Sequence, residues 1–120
     1  MIIRIYASNT TAGSFTKSYT PPAGYRWKIL FALLSVTGTS TANSSLSIGI
    51  EGLNAASLLT LIDSASSSTS TTAYAYYAPT SNATAYQTSD LWVNYPQYLY
   101  LNGTNNGTLT YEIMIEEVPG

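Results

Sequence analysis

Alternation of apolar and polar residues is the dominant signal along this chain. Over residues 45–51, Leu46, Ile48 and Ile50 alternate with Ser45, Ser47, Gly49 and Glu51, which predicts a strand with one buried face. Residues 108–118 repeat the pattern, with Leu109, Tyr111, Ile113 and Ile115 on one face and Thr110, Glu112, Met114 and Glu116 on the other. The run 25–36 differs. Tyr25, Trp27, Ile29, Phe31 and Leu33 fall on one face, and Arg26, Lys28, Leu30, Ala32, Leu34 and Val36 on the other. Its first half alternates apolar with charged, whereas its second half is apolar on both faces. This predicts a strand that leaves an exposed rim and enters the centre of a sheet buried on both sides. Pro21-Pro22 ends whatever precedes it, and Ala23-Gly24 supplies the turn. A helix over 29–34 is the competing reading. The Pro-Pro start and the polar stop at 37–40 favour the strand.

Shorter patterns fill the rest. Residues 2–7 and 14–20 read as strands, separated by a loop at 8–13. Residues 53–62 fit either a strand, favoured for 57–62, or two helical turns. Residues 63–72 are nearly all Ser and Thr and read as a long loop, either a plain connection or a contact loop. Residues 71–78 form a Tyr-rich strand, with short strands at 83–88 and 91–94. Residues 98–101 and 108–118 flank a cluster with two Asn-Gly pairs, Asn102-Gly103 and Asn106-Gly107, suited to positive φ, which predicts a hairpin. About eight strands and no helix give an all-β fold. The expected architecture over residues 1–120 is one domain: a two-sheet antiparallel sandwich, a single jelly roll. The alternative is an immunoglobulin-like Greek-key sandwich, without the Cys–Trp–Cys hallmark.

Composition narrows the chemistry. The chain has no Cys and no His, so thiolate and imidazole chemistry are absent, together with the commonest general base. A Ser–Lys pair is the remaining nucleophilic arrangement, and no spacing places one. Glu112 and Glu116 share a strand face roughly 13–14 Å apart, too far for glycoside hydrolysis, and they read as a charged outer face opposite Arg26 and Lys28. The other acids are Glu51, Asp63, Asp90 and Glu117. They form no calcium-loop pattern, and no Gly-rich phosphate cradle opens a helix. The expectation is a protein that is not an enzyme, with no cofactor and no metal. A net charge of −2, with only 8% charged residues, gives no footprint for nucleic acid. No apolar window reaches a membrane span. Residues 1–6 are too short, and too charged at Arg4, for a signal-peptide core.

Two features are present in excess. Seven of the eleven tyrosines lie between residues 74 and 100. Tyrosine suits both strands and contact surfaces. Tyr74, Tyr76, Tyr77, Tyr86, Trp92 and Tyr95 are the candidate interface residues, with Trp27 assigned to the core. Asn-x-Ser/Thr triplets occur at Asn9, Asn43, Asn82, Asn102 and Asn106, which makes these the candidate glycosylation sites. The excess also fits turn chemistry.

The Pro-Pro turn into the Trp27 strand, the strand 45–51, and the run from Pro96 through Thr104 into 109–118 resemble the single jelly-roll structural proteins of icosahedral viruses. The nearest resemblance is to the penton-base protein of turreted icosahedral viruses from hot acidic springs. The resemblance implies a virion protein synthesised in the host cytoplasm and assembled with itself as a pentameric ring. Its implied neighbours are the major capsid protein and a vertex appendage protein, and it carries over no active-site residue. Two readings compete: a carbohydrate- or surface-binding sandwich, and a pilus or fibre subunit joined by strand addition through residues 1–7.

The sparse charge predicts tolerance of acid, in keeping with the hot, acidic source the resemblance implies. A carboxylate with a depressed folded pKa stabilises above its unfolded value near ~4, and that share is lost as pH falls through the folded value. Six acidic side chains and the terminal carboxyl are available, and exposed pairs contribute only ~0–1 kcal/mol each. Full protonation leaves four basic side chains and the amino terminus, about +5, a small self-repulsion. Circular dichroism melts at pH 3 and pH 7 should differ by less than about 15 °C. A larger fall at pH 3 contradicts this.

Overall fold

A computed structural model describes residues 1–39, 42–52, 57–67, 72–77 and 91–120, with the backbone alone for 57–67 and 72–77. Among the described residues nine strands follow in order: β1 (Ile2–Asn9), β2 (Gly13–Tyr19), β3 (Tyr25–Thr37), β4 (Ser44–Glu51), β5 (Ser57–Ser67), β6 (Thr72–Tyr77), β7 (Trp92–Asn94), β8 (Tyr98–Asn105) and β9 (Thr108–Pro119). They form two antiparallel sheets packed as a sandwich. One sheet runs β1-β9-β3-β6, with β7 also paired to β3, and the other runs β2-β8-β4-β5.

The pairing identifies a jelly roll. β1 pairs with β9, β2 with β8, β3 with β6 and β7, and β4 with β5. These four pairs make one long antiparallel ribbon. Folded over, the ribbon brings β9 against β3 and β8 against β4. β6 and β7 pair with successive parts of β3 in the same direction, as one interrupted strand. This order sets aside the immunoglobulin-like alternative, whose sheets group their strands differently.

The sequence pattern misplaces three features. The expected hairpin at 102–107 is the first. β8 extends to Asn105, and β8 and β9 lie in different sheets, so the turn crosses the sandwich instead of closing a two-stranded ladder. A buried polar node holds that crossing. Asn105 Nδ2 donates to the carbonyls of Asn9 (3.1 Å) and Thr11 (3.0 Å), and Asn105 Oδ1 accepts from the Gly107 amide at 3.0 Å. Ser44 Oγ, also buried, accepts from the Asn106 amide at 2.8 Å. Nor do the Asn-Gly glycines provide positive φ, which occurs at Gly13 and Gly24. A Cβ on Gly103 would collide with the Ser45 carbonyl oxygen, and one on Gly107 with that of Thr37. Both are glycine because other strands pass close by.

The second is the phase of β3. Its register against β9 shifts between Ile29 and Phe31, so Leu30 is an inserted bulge residue. Trp27 and Ile29 point into the core before the bulge, and Ala32, Leu34 and Val36 after it. Phe31 and Leu33 therefore lie on the outer face, half-buried, and the sheet is not buried on both sides. The third is the loop expected at 63–72, because β5 continues as far as Ser67. Backbone pairing with β4 extends that strand through residues whose side chains favour a loop. The strand expected at 83–88 lies outside the described residues.

The core joins both sheets: Ile29, Leu34, Ile113 and Ile115 from one, Leu46, Ile48, Leu99 and Leu101 from the other. Trp27 is buried as expected, and its indole donates to Glu117 Oε1 at 2.9 Å. Tyr111 of β9 reaches across to the β2 edge. Its ring lies 6.0 Å from Phe15 and 6.3 Å from Tyr19, and the Tyr19 and Tyr111 hydroxyls are 2.7 Å apart. Burial, reinforced by the bond to Tyr19, raises the Tyr111 pKa well above 10.

The raised pKa makes stability fall in alkali. Below about pH 10 both folded and unfolded Tyr111 are neutral and its share of stability is complete; above that the unfolded chain ionises first, so the share is lost as pH climbs towards the folded value. Tyr111→Phe should cost about 1 kcal/mol at neutral pH yet lose less melting temperature than wild type between pH 8 and pH 11. Equal losses in the two proteins would count against a stabilising role for the Tyr19–Tyr111 hydroxyl bond.

Candidate interaction surfaces

The two outer faces of the sandwich carry different chemistry, and strand register shows how each is built. Antiparallel neighbours directly opposite one another share a face. On the β1-β9-β3 sheet, one outer row holds Ile2, Glu116, Lys28 and Trp92, the next Arg4, Met114 and Phe31, and the next Tyr6, Glu112 and Leu33. Ile2 and Tyr6 are more than half exposed, at 54% and 55%. Arg4 forms an ion pair with Glu112 and lies 4.6 Å above the Tyr6 ring. Arg26 stacks on the Trp92 ring at 4.1 Å. Cation–π contacts of this kind contribute ~0.5–1 kcal/mol at exposed sites. Glu116 stands opposite Lys28, as the sequence suggests, but the ion-pair partner of Glu112 is Arg4, brought alongside by the β1 ladder, instead of Arg26 or Lys28.

One end of this sheet collects further exposed apolar side chains: Met1, Tyr25 and, in the turn after β7, Tyr95. Tyr25 emerges from the turn closed by its amide bond to the Pro22 carbonyl at 3.0 Å. Of the tyrosines singled out in sequence, Tyr74, Tyr76 and Tyr77 stand opposite Ser35, Leu33 and Ala32 on β6, and Tyr86 lies outside the described residues. Trp92 is half-buried against Arg26. Met114 and Tyr6 fall on the polar faces that alternation assigns them, whereas Ile2, Tyr25, Phe31 and Leu33 were not legible as surface residues. Their exposure depends on the bulge, on β1 lying at a sheet edge and on the turn geometry, none of which has a local signature.

The outer face of the β2-β8-β4 sheet is uncharged except at Glu51. Its rows read Ser14, Thr104, Ser45; then Thr16, Asn102, Ser47; then Ser18, Tyr100, Gly49; and lastly Tyr98 and Glu51. Glu51 accepts from the Tyr98 hydroxyl at 3.2 Å, and Tyr98 and Tyr100 pack edge to face at 6.3 Å. Partial burial, then the bond to the Glu51 carboxylate, pushes the Tyr98 pKa up. A depression of about 340 Å³ crosses the three strands, lined by Ser14, Ser45, Ser47, Asn102 and Thr104 over Leu46 and Gly103.

The Asn-x-Ser/Thr triplets separate by environment. Asn43 and Asn102 are exposed. Asn9 is half-buried and bonded through its amide to the Thr11 backbone, at 3.2 and 3.4 Å. Asn106 donates its amide to the Asn43 carbonyl. Asn82 lies outside the described residues. Among the described residues no three acidic side chains come together in a metal-binding group.

No family model matches this chain, and no curated protein matches it by sequence. Among solved structures, a chain from the structure of infectious bursal disease virus Gx strain is weakly similar. The TM-score is 0.28 at 10% identity, with the match covering 99% of this chain and 41% of that one. A likeness at this level adds nothing to what the strand pairing shows.

Proposed function

We propose that this chain is a structural subunit of a virus particle. In this reading it is a jelly-roll shell protein that binds copies of itself in a closed pentameric ring at a vertex and meets the major capsid protein and a vertex appendage. It is not an enzyme. Capsid subunits and lectins both use the fold, so the fold alone does not decide. The observation that carries the proposal is the outer face of the β1-β9-β3 sheet. Trp92, Tyr6, Arg4 and Arg26 gather there with exposed Ile2, and Met1, Tyr25 and Tyr95 are exposed at one end of the same sheet. Trp, Tyr and Arg are the residues that dominate interface energetics. A ring needs two different patches to meet on each neighbour, and on this sheet the apolar end at Met1, Tyr25 and Tyr95 differs from the rows around Arg4 and Glu112. Strand addition through residues 1–7 has less support, because those residues are already part of the β1 ladder with β9 in the same chain.

Light scattering after size exclusion, with melting curves, tests the reading. Wild type should form five-copy rings. Trp27→Ala should cost ~3–5 kcal/mol of subunit stability through lost burial. Trp92→Ala should weaken the ring more than it lowers the melting temperature. A wild type that stays monomeric at all concentrations, or equal melting losses for both variants with unchanged assembly, would remove the proposal's support.

A further inference from the structure

The depression on the β2-β8-β4 sheet lies on the face opposite the proposed contact surface. Its lining is made entirely of neutral groups. Ser14, Ser45, Ser47 and Thr104 contribute hydroxyls, and Asn102 contributes an amide that both donates and accepts. Asn102 and Thr104 are exposed in its lining, and Ser47 Oγ is fixed by a 3.2 Å bond to the Asn102 carbonyl. Tyr100 stands one row further along the same face, half-buried between Ser18 and Gly49, next to the row of Asn102. Its packing against Tyr98, itself bonded to Glu51, holds it in place.

This lining selects by exclusion. Arg4, Arg26 and Lys28 belong to the other sheet, and Lys17 lies over the Tyr19 ring at 5.6 Å, so no cation lines the depression to hold a phosphate. No carboxylate lines it to hold a metal ion or an amine. Its one apolar side chain, Leu46, belongs to the core, so a hydrophobic ligand has little to bind. What remains is a neutral ligand rich in hydroxyl groups, with an apolar ring face to lie against Tyr100. We infer that this depression is a binding site for a short neutral oligosaccharide, with Asn102, Ser47 and Thr104 pairing its hydroxyls and Tyr100 flanking one sugar ring. Gly103 permits the site, because any side chain there would collide with the Ser45 backbone and force β8 from β4 beneath it. The inference does not depend on assembly through the other sheet.

Amide chemical-shift titration of the 15N-labelled protein, with Asn102 unmodified, tests it. Cellotriose and mannotriose represent polysaccharide, and N,N′-diacetylchitobiose represents the core of an Asn-linked glycan. At least one probe should shift the Ser14, Ser47, Asn102 and Thr104 signals saturably, with a dissociation constant of about 0.1–10 mM. The probe that binds tighter identifies the source. Asn102→Ala and, separately, Tyr100→Ala should each weaken binding about tenfold or more. Both sites face solvent, and an unchanged spectrum elsewhere confirms folding. The inference is overturned if no probe shifts these signals at about 20 mM, if the shifts map to the other sheet, or if both variants bind as wild type does.

Discussion

The ladder between β3 and β9 is the contact on which both the folded ribbon and its surface depend. It joins the two halves of the ribbon, and its bulge at Leu30 decides which half of β3's apolar content is buried. Without the bulge, Phe31 and Leu33 would enter the core beside Ile113 and Ile115, and Ala32, Leu34 and Val36 would face solvent. With it, small Ala32 sits opposite Ile113, and Leu34 sits opposite Tyr111, which needs room to reach Tyr19. Cores tolerate neither extra bulk nor voids cheaply, so the phase change matches volume as well as polarity. The bulge also lies where β3 changes neighbours: β7 pairs with residues 26–28 and β6 with 32–37. The Ile29 amide donates to the Leu91 carbonyl at 2.9 Å, so the irregular segment keeps a backbone partner there.

The same phase change shapes the outer surface. Phe31 and Leu33, displaced outward, join Met114, Tyr6 and Ile2 on a face that also carries Arg4, Arg26 and Trp92. Among the described residues the opposite face of β2, β8 and β4 consists of hydroxyls, an amide, Gly49 and two tyrosines, with Glu51 as the charge in its last row. Of the chain's ten charged side chains, Arg4, Arg26, Lys28, Glu112 and Glu116 are all on the first face. A sandwich divided in this way fits a subunit that attaches to neighbours by one side and presents the other.

Strands whose burial is set by one face were legible. β4 and β9 kept their predicted phase, and Trp27 is in the core, because strict alternation leaves one consistent orientation. The failures share a cause. Asn102-Gly103 and Asn106-Gly107 carry a local turn signature, but their glycines answer to the Ser45 and Thr37 carbonyls, far away in sequence. The missing hairpin follows from ribbon pairing, which no turn motif encodes. The bulge left a trace in the doubly apolar run 29–34, which alternation alone reads as two-sided burial. Arg4 was invisible as the partner of Glu112 because β1 and β9 meet only in the folded sheet. The neutral depression was not legible, because Asn102 stood out only as a glycosylation candidate and a turn residue, and the row of Thr16, Asn102 and Ser47 exists only once β2, β8 and β4 are aligned.

Single-cysteine scanning along β3 tests the bulge most directly, because the natural chain contains no cysteine. Phe31→Cys, Ala32→Cys, Leu33→Cys and Leu34→Cys are each labelled with a maleimide under native conditions. The bulge predicts fast labelling at 31 and 33 and strong protection at 32 and 34. Protection at 31 and 33 with fast labelling at 32 and 34 would mean that alternation from Trp27 continues unbroken, and the outer face built on Phe31 and Leu33 would not exist.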